Sequence, residues 1–288
     1  MVGPAADARN GTHPAWLASP VTGHTGQRRR PSATMLAAVR MLLPDRVDDL
    51  GPAQLAAAYA WPSTPWLRAN MVSTVDGVAR SPDGLTAGIS STADKQLFMI
   101  LRDRADAIIV GAGTVRAESY GPPRSADPAA RAAAGQQAAP VAVVLTRSGR
   151  LDPAASLFSN PERRPIVVTV EAAAATARSR LDAVAEVVVF GRTTVDLAAT
   201  VAFLHERGLT RLLTEGGPVL LADLVAENLV DELCVSISPL VAGGSYPEGQ
   251  ATERILSGRI LPDSPRTAVL TGLCEQDGSL FCRYRLRH

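Results

Sequence analysis

Cysteine, histidine and aromatic residues are scarce in these 288 residues. The three cysteines, Cys234, Cys274 and Cys282, are odd in number and show no Cys-x-x-Cys spacing. That excludes a disulfide scaffold and a structural zinc site, and it fits a reduced, cytoplasmic setting with the thiols as small core residues. Of four histidines, His13 and His24 fall near the start, His288 is last, and only His205 sits in a periodic segment, near a helix end. A Ser-His-Asp hydrolase or a histidine-rich metal centre has almost nothing to build with, so no metal site is expected. Charge of one sign is lacking too. The net charge is +1, and one basic triplet, Arg28-Arg29-Arg30, is too little for a nucleic-acid surface. No apolar run reaches the length of a bilayer span, so no membrane partner is expected. The chemistry is left to carboxylates, backbone groups or a bound cofactor.

What the chain does contain is hydrophobic residues, 46% of the total, enough for a sizeable core. Residues 1–34, rich in Gly, Pro, Ser and Thr, read as a disordered tail, and residues 35–288 as one domain. A short helix is expected around Pro52–Tyr59. From Trp66 onward, Val/Ile/Leu runs alternate with helical periodicity: a strand ending near Ser73–Asp76, a helix over Thr92–Arg104, strands in "ADAIIVG", "PVAVVLT", "PIVVTV" and "AEVVVFG", and helices over Ala172–Leu181 and Leu197–Arg207. "LTRLLTEGG" leads into a helix over Val219–Glu227. The end reads as a β-hairpin about Gln276-Asp277-Gly278. Strands that are apolar throughout belong to a mostly parallel sheet covered by helices on both faces, so the fold class is α/β with a C-terminal antiparallel hairpin.

Three turns stand at strand ends. Gly216-Gly217-Pro218 combines close backbone approach, helix-opening proline and unpaired N–H groups, the properties of a phosphate cradle or of a tight strand–helix turn. "IIVGAGTVRAE" places Gly111 and Gly113 after a strand and Thr114 as a cap, but Arg116 stands where a dinucleotide fingerprint needs its third glycine. Arg147, Ser148 and Arg150 follow another buried strand, where basic side chains can clamp a 2′-phosphate. Ligands gather at this edge of open α/β sheets, so the three together point to a nucleotide.

In order along the chain, "NMVSTVDGVA", "LRDRADAIIVGAGTVRAESYGP", "VLTRSGR" and "LTEGGPVLLADLVAENLVDELCVSISPLVAGG" resemble the reductase domain of riboflavin biosynthesis, the stand-alone pyrimidine reductases of dihydrofolate-reductase-like fold, over residues 64–286. The resemblance implies NADPH-dependent reduction of 5-amino-6-(5-phosphoribosylamino)uracil to its ribityl product by hydride transfer, and a homodimer. It implies Thr114 and Glu118 on the cofactor side, Gly217 through Asp223, hence Pro218, Val219 and Leu220, along the pyrophosphate, and Arg147 near the adenosine; the glycine turns themselves add Gly111 and Gly216 to the cofactor side. Arg102, Glu215 and Arg124 would face the substrate, and Asp76 would be catalytic, unless it merely caps its Asp-Gly turn. Asn70 stands where many relatives have lysine and Gly88 where many have tryptophan. The departures admit a pterin such as dihydrofolate as substrate. A non-catalytic NADPH-binding protein is the reading from another class. The zinc deaminase often fused to such reductases has no matching His-x-Glu or Pro-Cys-x-x-Cys element here.

Overall fold

The computed structural model describes residues 39–245 and 252–287. The expected tail, residues 1–34, lies outside them. The described residues fall in one compact unit.

Seven strands make the parallel part of one eleven-stranded sheet: β3 (Trp66–Thr74), β4 (Ala107–Gly111), β5 (Val141–Leu145), β6 (Ile166–Thr169), β7 (Glu186–Val189), β8 (Arg211–Thr214) and β9 (Glu232–Ser238). Their spatial order is β9-β3-β8-β4-β5-β6-β7, parallel at every step. Successive side chains point to opposite faces, and both faces are covered. Along β4, Ile108 and Val110 enter one apolar layer with Leu97, Leu101 and Val115. Ala107 and Ile109 enter the other with Val201, Leu204, Leu221 and Leu224. The first layer is closed by α1 (Pro52–Ala58), α2 (Thr92–Arg104), α3 (Ala112–Ala117) and α5 (Ala174–Leu181), the second by α6 (Leu197–Glu206) and α7 (Pro218–Ala226). Burying one leucine in such a layer stabilises by about 1.5–3 kcal/mol. A short α4 (Pro128–Ala133), capped by the Asp127 carboxylate on the Ala130 N–H, interrupts the Ala-rich loop.

The other four strands are antiparallel. β10 (Ala268–Gln276) and β11 (Ser279–Leu286) form the expected hairpin. Gln276 faces Ser279 across Asp277 and Gly278, whose φ values of 50° and 80° suit a tight hairpin turn. β11 joins the hairpin to β9, and a second hairpin, β1 (Val39–Leu43) with β2 (Val47–Leu50), pairs with β10 and ends the sheet. This N-terminal hairpin was not expected. Its strands are mostly exposed, and the pairing of β1 with β10 and of β2 with β1, rather than periodicity, defines them.

A buried charge cluster spans the junction of the two halves. Arg68, fully buried, donates to Glu232 Oε2 (3.1 Å) and to the carbonyls of Tyr59 (2.9 Å) and Ala60 (3.2 Å). Arg283 Nε lies 2.8 Å from Glu232 Oε1. Charges buried this deeply persist only when hydrogen-bonded, and here they lock β3, β9 and β11 to the segment after α1.

Candidate active site

Parallel strands deliver their C-terminal ends to one edge, and there the glycine turns meet. The Gly111 N–H at the end of β4 donates to Gly216 O (3.0 Å), and the Glu215 N–H to Ile109 O (3.2 Å). The Gly217 N–H donates to Thr114 Oγ1 (2.9 Å), joining the turn after β8 to α3. Gly216 has φ +83°, and a Cβ there would sit 3.0 Å from Met71 Sδ. A Cβ on Gly217 would lie 3.0 Å from Thr114 Oγ1. Only glycine fits this pair without displacing its neighbours. Pro218 opens α7, whose N-terminus has no side-chain cap, so its first amides are free for a ligand.

Three clefts follow one another along this edge. The first, about 300 Å³, is walled by Gly111, Thr114, Glu118, Gly217, Pro218 and Val219, with Leu220 below. The Glu118 carboxylate is fixed by the Thr86 N–H (3.1 Å). The second, about 370 Å³, shares Thr114, Glu118 and Glu215 with the first and adds Asn70, Arg102 and Tyr120. The third, about 660 Å³, shares Gly111, Val219 and Leu220 with the first and adds Arg147 and Ser148. The residues expected on the cofactor side thus lie on one continuous groove, with Asn70, Arg102 and Glu215 at its other end. Gly216 acts through its carbonyl behind the first cleft.

Arg102 and Glu215 meet across the second cleft. Arg102 Nε donates to Glu215 Oε1 and Nη2 to Oε2, both at 2.6 Å. The Tyr120 hydroxyl donates to Glu215 Oε2 (2.7 Å) and accepts from Arg102 Nη2 (2.8 Å). The guanidinium also lies 4.0 Å above the Phe98 ring. Both carboxylate oxygens are occupied, so Glu215 is a holder of Arg102 and not a free base. Burial pulls the Arg102 guanidinium downward, but the Glu215 carboxylate outweighs it and holds the group above its ordinary value. Burial, reinforced by Glu215, keeps the Tyr120 phenol far above its ordinary range, and therefore protonated. Arg102 Nη1 has no partner among the described residues, which leaves a fixed donor for a ligand.

Three expectations fall differently. Asp76, expected to be catalytic, lines none of the three clefts. Its carboxylate accepts from the Thr74 hydroxyl, from the Gly243 N–H (2.6 Å) and from the Ala242 N–H (3.1 Å). The Thr74 hydroxyl first, then the Gly243 amide, hold it down at about 2. Asp76 pins the turn after β3 to the segment after β9. Arg124 is exposed and lines none of these clefts. Gly88 packs against Ser81, and a Cβ would collide with that side chain, so a ring has no room at 88 on this backbone. Tyr120, Ser90 and Asp94 were missed. Asp94 had a signal, since it shares the buried stripe of Leu97 and Leu101. It is 7% exposed, lines the second cleft and accepts from the Ser90 hydroxyl.

The profile of the RibD C-terminal domain matches residues 65–257. The chain belongs to the RibD C-terminal domain family. Among its relatives, the 2,5-diamino-6-ribosylamino-4(3H)-pyrimidinone 5′-phosphate reductase of Archaeoglobus fulgidus is 34% identical over 185 residues, 62% of this chain and 83% of that one. The enzyme of the same name from Methanothermobacter thermautotrophicus is 35% identical over 62% of this chain and 80% of that one. A pyrimidine reductase-like protein from Corynebacterium diphtheriae superposes with a TM-score of 0.70 at 29% identity, covering 81% of this chain and 98% of that one. Membership in the RibD family makes the chain an oxidoreductase of the pyrimidine reductase type. Among the described residues, no His, Cys, Asp or Glu group could hold a metal ion, and no helix is long and apolar enough to cross a membrane.

Proposed function

We propose that the chain reduces a ribosylaminopyrimidine 5′-phosphate with NADPH, as a step of riboflavin biosynthesis. The observation that carries this reading is that Glu215 stands between the two clefts, one residue before the glycine cradle and in direct contact with Arg102. The residues fit the dinucleotide. Two glycines that a Cβ would disturb, the Thr114 hydroxyl and the uncapped start of α7 form a cradle for its pyrophosphate. Arg147 and Ser148 in the third cleft suit the 2′-phosphate. NADPH held there supplies a hydride. Arg102, locked by Glu215 and Tyr120, orients the substrate through Nη1, and Asn70 meets the substrate from β3. Preorganised donors of this kind act without reorganisation during the reaction.

The two curated relatives named above favour the 2,5-diaminopyrimidinone over the 5-aminouracil as substrate. The experiment is NADPH oxidation, followed by absorbance, with both phosphorylated pyrimidines and dihydrofolate in parallel. Turnover of either pyrimidine supports the reading. Turnover of dihydrofolate alone replaces it with pterin reduction, and oxidation with none of them refutes it in favour of a binding role. We further propose a cytoplasmic homodimer. The three free, buried cysteines suit a reducing compartment, and the exposed Leu42, Leu43 and Leu270 in the antiparallel half supply apolar contact area. Light scattering on eluting protein tests the dimer.

A further inference from the structure

The chain has 29 lysine and arginine residues, and only one of them, Lys95, is a lysine. It sits in the first turn of α2, where the helix macrodipole disfavours a cation. Among the described residues no partner compensates for that placement. Lys95 is exposed, and among the described residues its ammonium makes no ion pair or hydrogen bond. It lines the second cleft.

The charges of that cleft make the position informative. Asp94, Glu118 and Glu215 are carboxylates, and Lys95 and Arg102 are the cations of the lining. Arg102 has its charge paired with Glu215 and only Nη1 left as a donor. A phosphate dianion entering here meets an excess of negative charge unless an uncommitted cation receives it, and Lys95 is the cation of this lining that has no partner among the described residues. An ammonium on a flexible stem suits a phosphate at a cleft mouth, because it binds as a point charge and needs no fixed plane. Ser119, which lines the same cleft, adopts φ +46°, a left-handed conformation uncommon outside glycine, and its hydroxyl has no partner among the described residues.

We propose that Lys95 clamps the 5′-phosphate of the substrate, with the Ser119 hydroxyl as second donor. The proposal rests on the reading of this cleft as a pyrimidine site and adds the group that recognises the phosphate. Because Lys95 carries the sole ε-amine, its acetylation is read at a single peptide by mass spectrometry. Ribose 5-phosphate is expected to slow that acetylation by about tenfold at saturation, the scale of one charge-assisted hydrogen bond, with inorganic phosphate weaker and ribose inert. Equal labelling with ribose 5-phosphate and with ribose overturns the proposal. Lys95→Gln is expected to raise KM for the phosphorylated pyrimidine about tenfold or more, with a much smaller change in kcat, and Lys95→Arg to restore most of it. An unchanged KM in Lys95→Gln overturns the proposal as well. If the wild-type protein reduces neither pyrimidine, the proposed function falls, and the acetylation result still decides the role of Lys95.

Discussion

Truncating Glu215 to alanine strands a guanidinium. In the wild-type protein, Arg102 and Glu215 are 16% and 5% exposed at their side chains, and two hydrogen bonds of 2.6 Å join them. Breaking a buried pair from one side costs about 3–5 kcal/mol, because the remaining charge loses its partner without regaining water. The residual exposure of Arg102 puts Glu215→Ala at the low end, about 3 kcal/mol. For a domain of roughly 150–250 residues that lowers Tm by about 6–12 °C. Glu215→Gln keeps the shape and an acceptor for Tyr120 and loses the charge, so it falls between wild type and alanine. Urea unfolding of Glu215→Ala, Arg102→Ala and the double variant closes a cycle, with an expected coupling of about 2–3 kcal/mol. A coupling near zero, or a Glu215→Ala cost below about 1 kcal/mol, refutes the picture of a locked pair. The same lock positions Arg102 Nη1, so both single variants also lose kcat/KM for the pyrimidine, by about a hundredfold on the scale of a charged hydrogen bond.

Other consequences are as direct. The Asp76 carboxyl is depressed to about 2, against an unfolded value of about 3.9, so its contribution is complete above pH about 4 and is lost as pH falls toward 2. Asp76→Asn is expected to keep turnover and to flatten that acid limb of stability, followed by circular dichroism across the acid range. Thr114→Val removes the acceptor of the Gly217 N–H and is expected to weaken NADPH binding by about tenfold, measured by fluorescence titration. Arg147→Gln is expected to weaken NADPH by a similar factor and leave NADH nearly untouched. Tyr59 and Tyr120, both held far above the ordinary phenol range by burial, are expected to stay silent in an alkaline absorbance titration until the protein unfolds. Ionisation of either in the folded protein contradicts the geometry.

Much of the parallel half was legible because its signals are local. Ser91 caps the Asp94 N–H, Leu97 and Leu101 fall on one stripe, and α2 runs over Thr92–Arg104 as periodicity predicts. The β1–β2 hairpin carries no such signal, since Asp48-Asp49 breaks the apolar pattern of β2 and the partner that anchors β1, β10, lies more than two hundred residues on. The site divides in the same way. Glycine turns announce themselves because backbone geometry demands glycine. The place of Asp76 was not legible, because an Asp-Gly pair says nothing of where the carboxylate turns, and its partners at Ala242 and Gly243 are 166 and 167 positions away. Tyr120 went unnoticed for the same reason, as Glu215 is 95 positions downstream.

Glu215 and Gly217 are separated by a single residue, and this has a thermodynamic meaning. The Gly217 amide belongs to the cradle for one ligand, and the Glu215 carboxylate sets the guanidinium that meets the other. A change of backbone at Gly217 would reach the Arg102 guanidinium through one intervening peptide and one carboxylate. Thermodynamic linkage makes the effect mutual: the factor by which one ligand tightens the other is the same in both directions. Whatever couples the two clefts therefore has only a two-peptide turn to pass through, with no moving lid required.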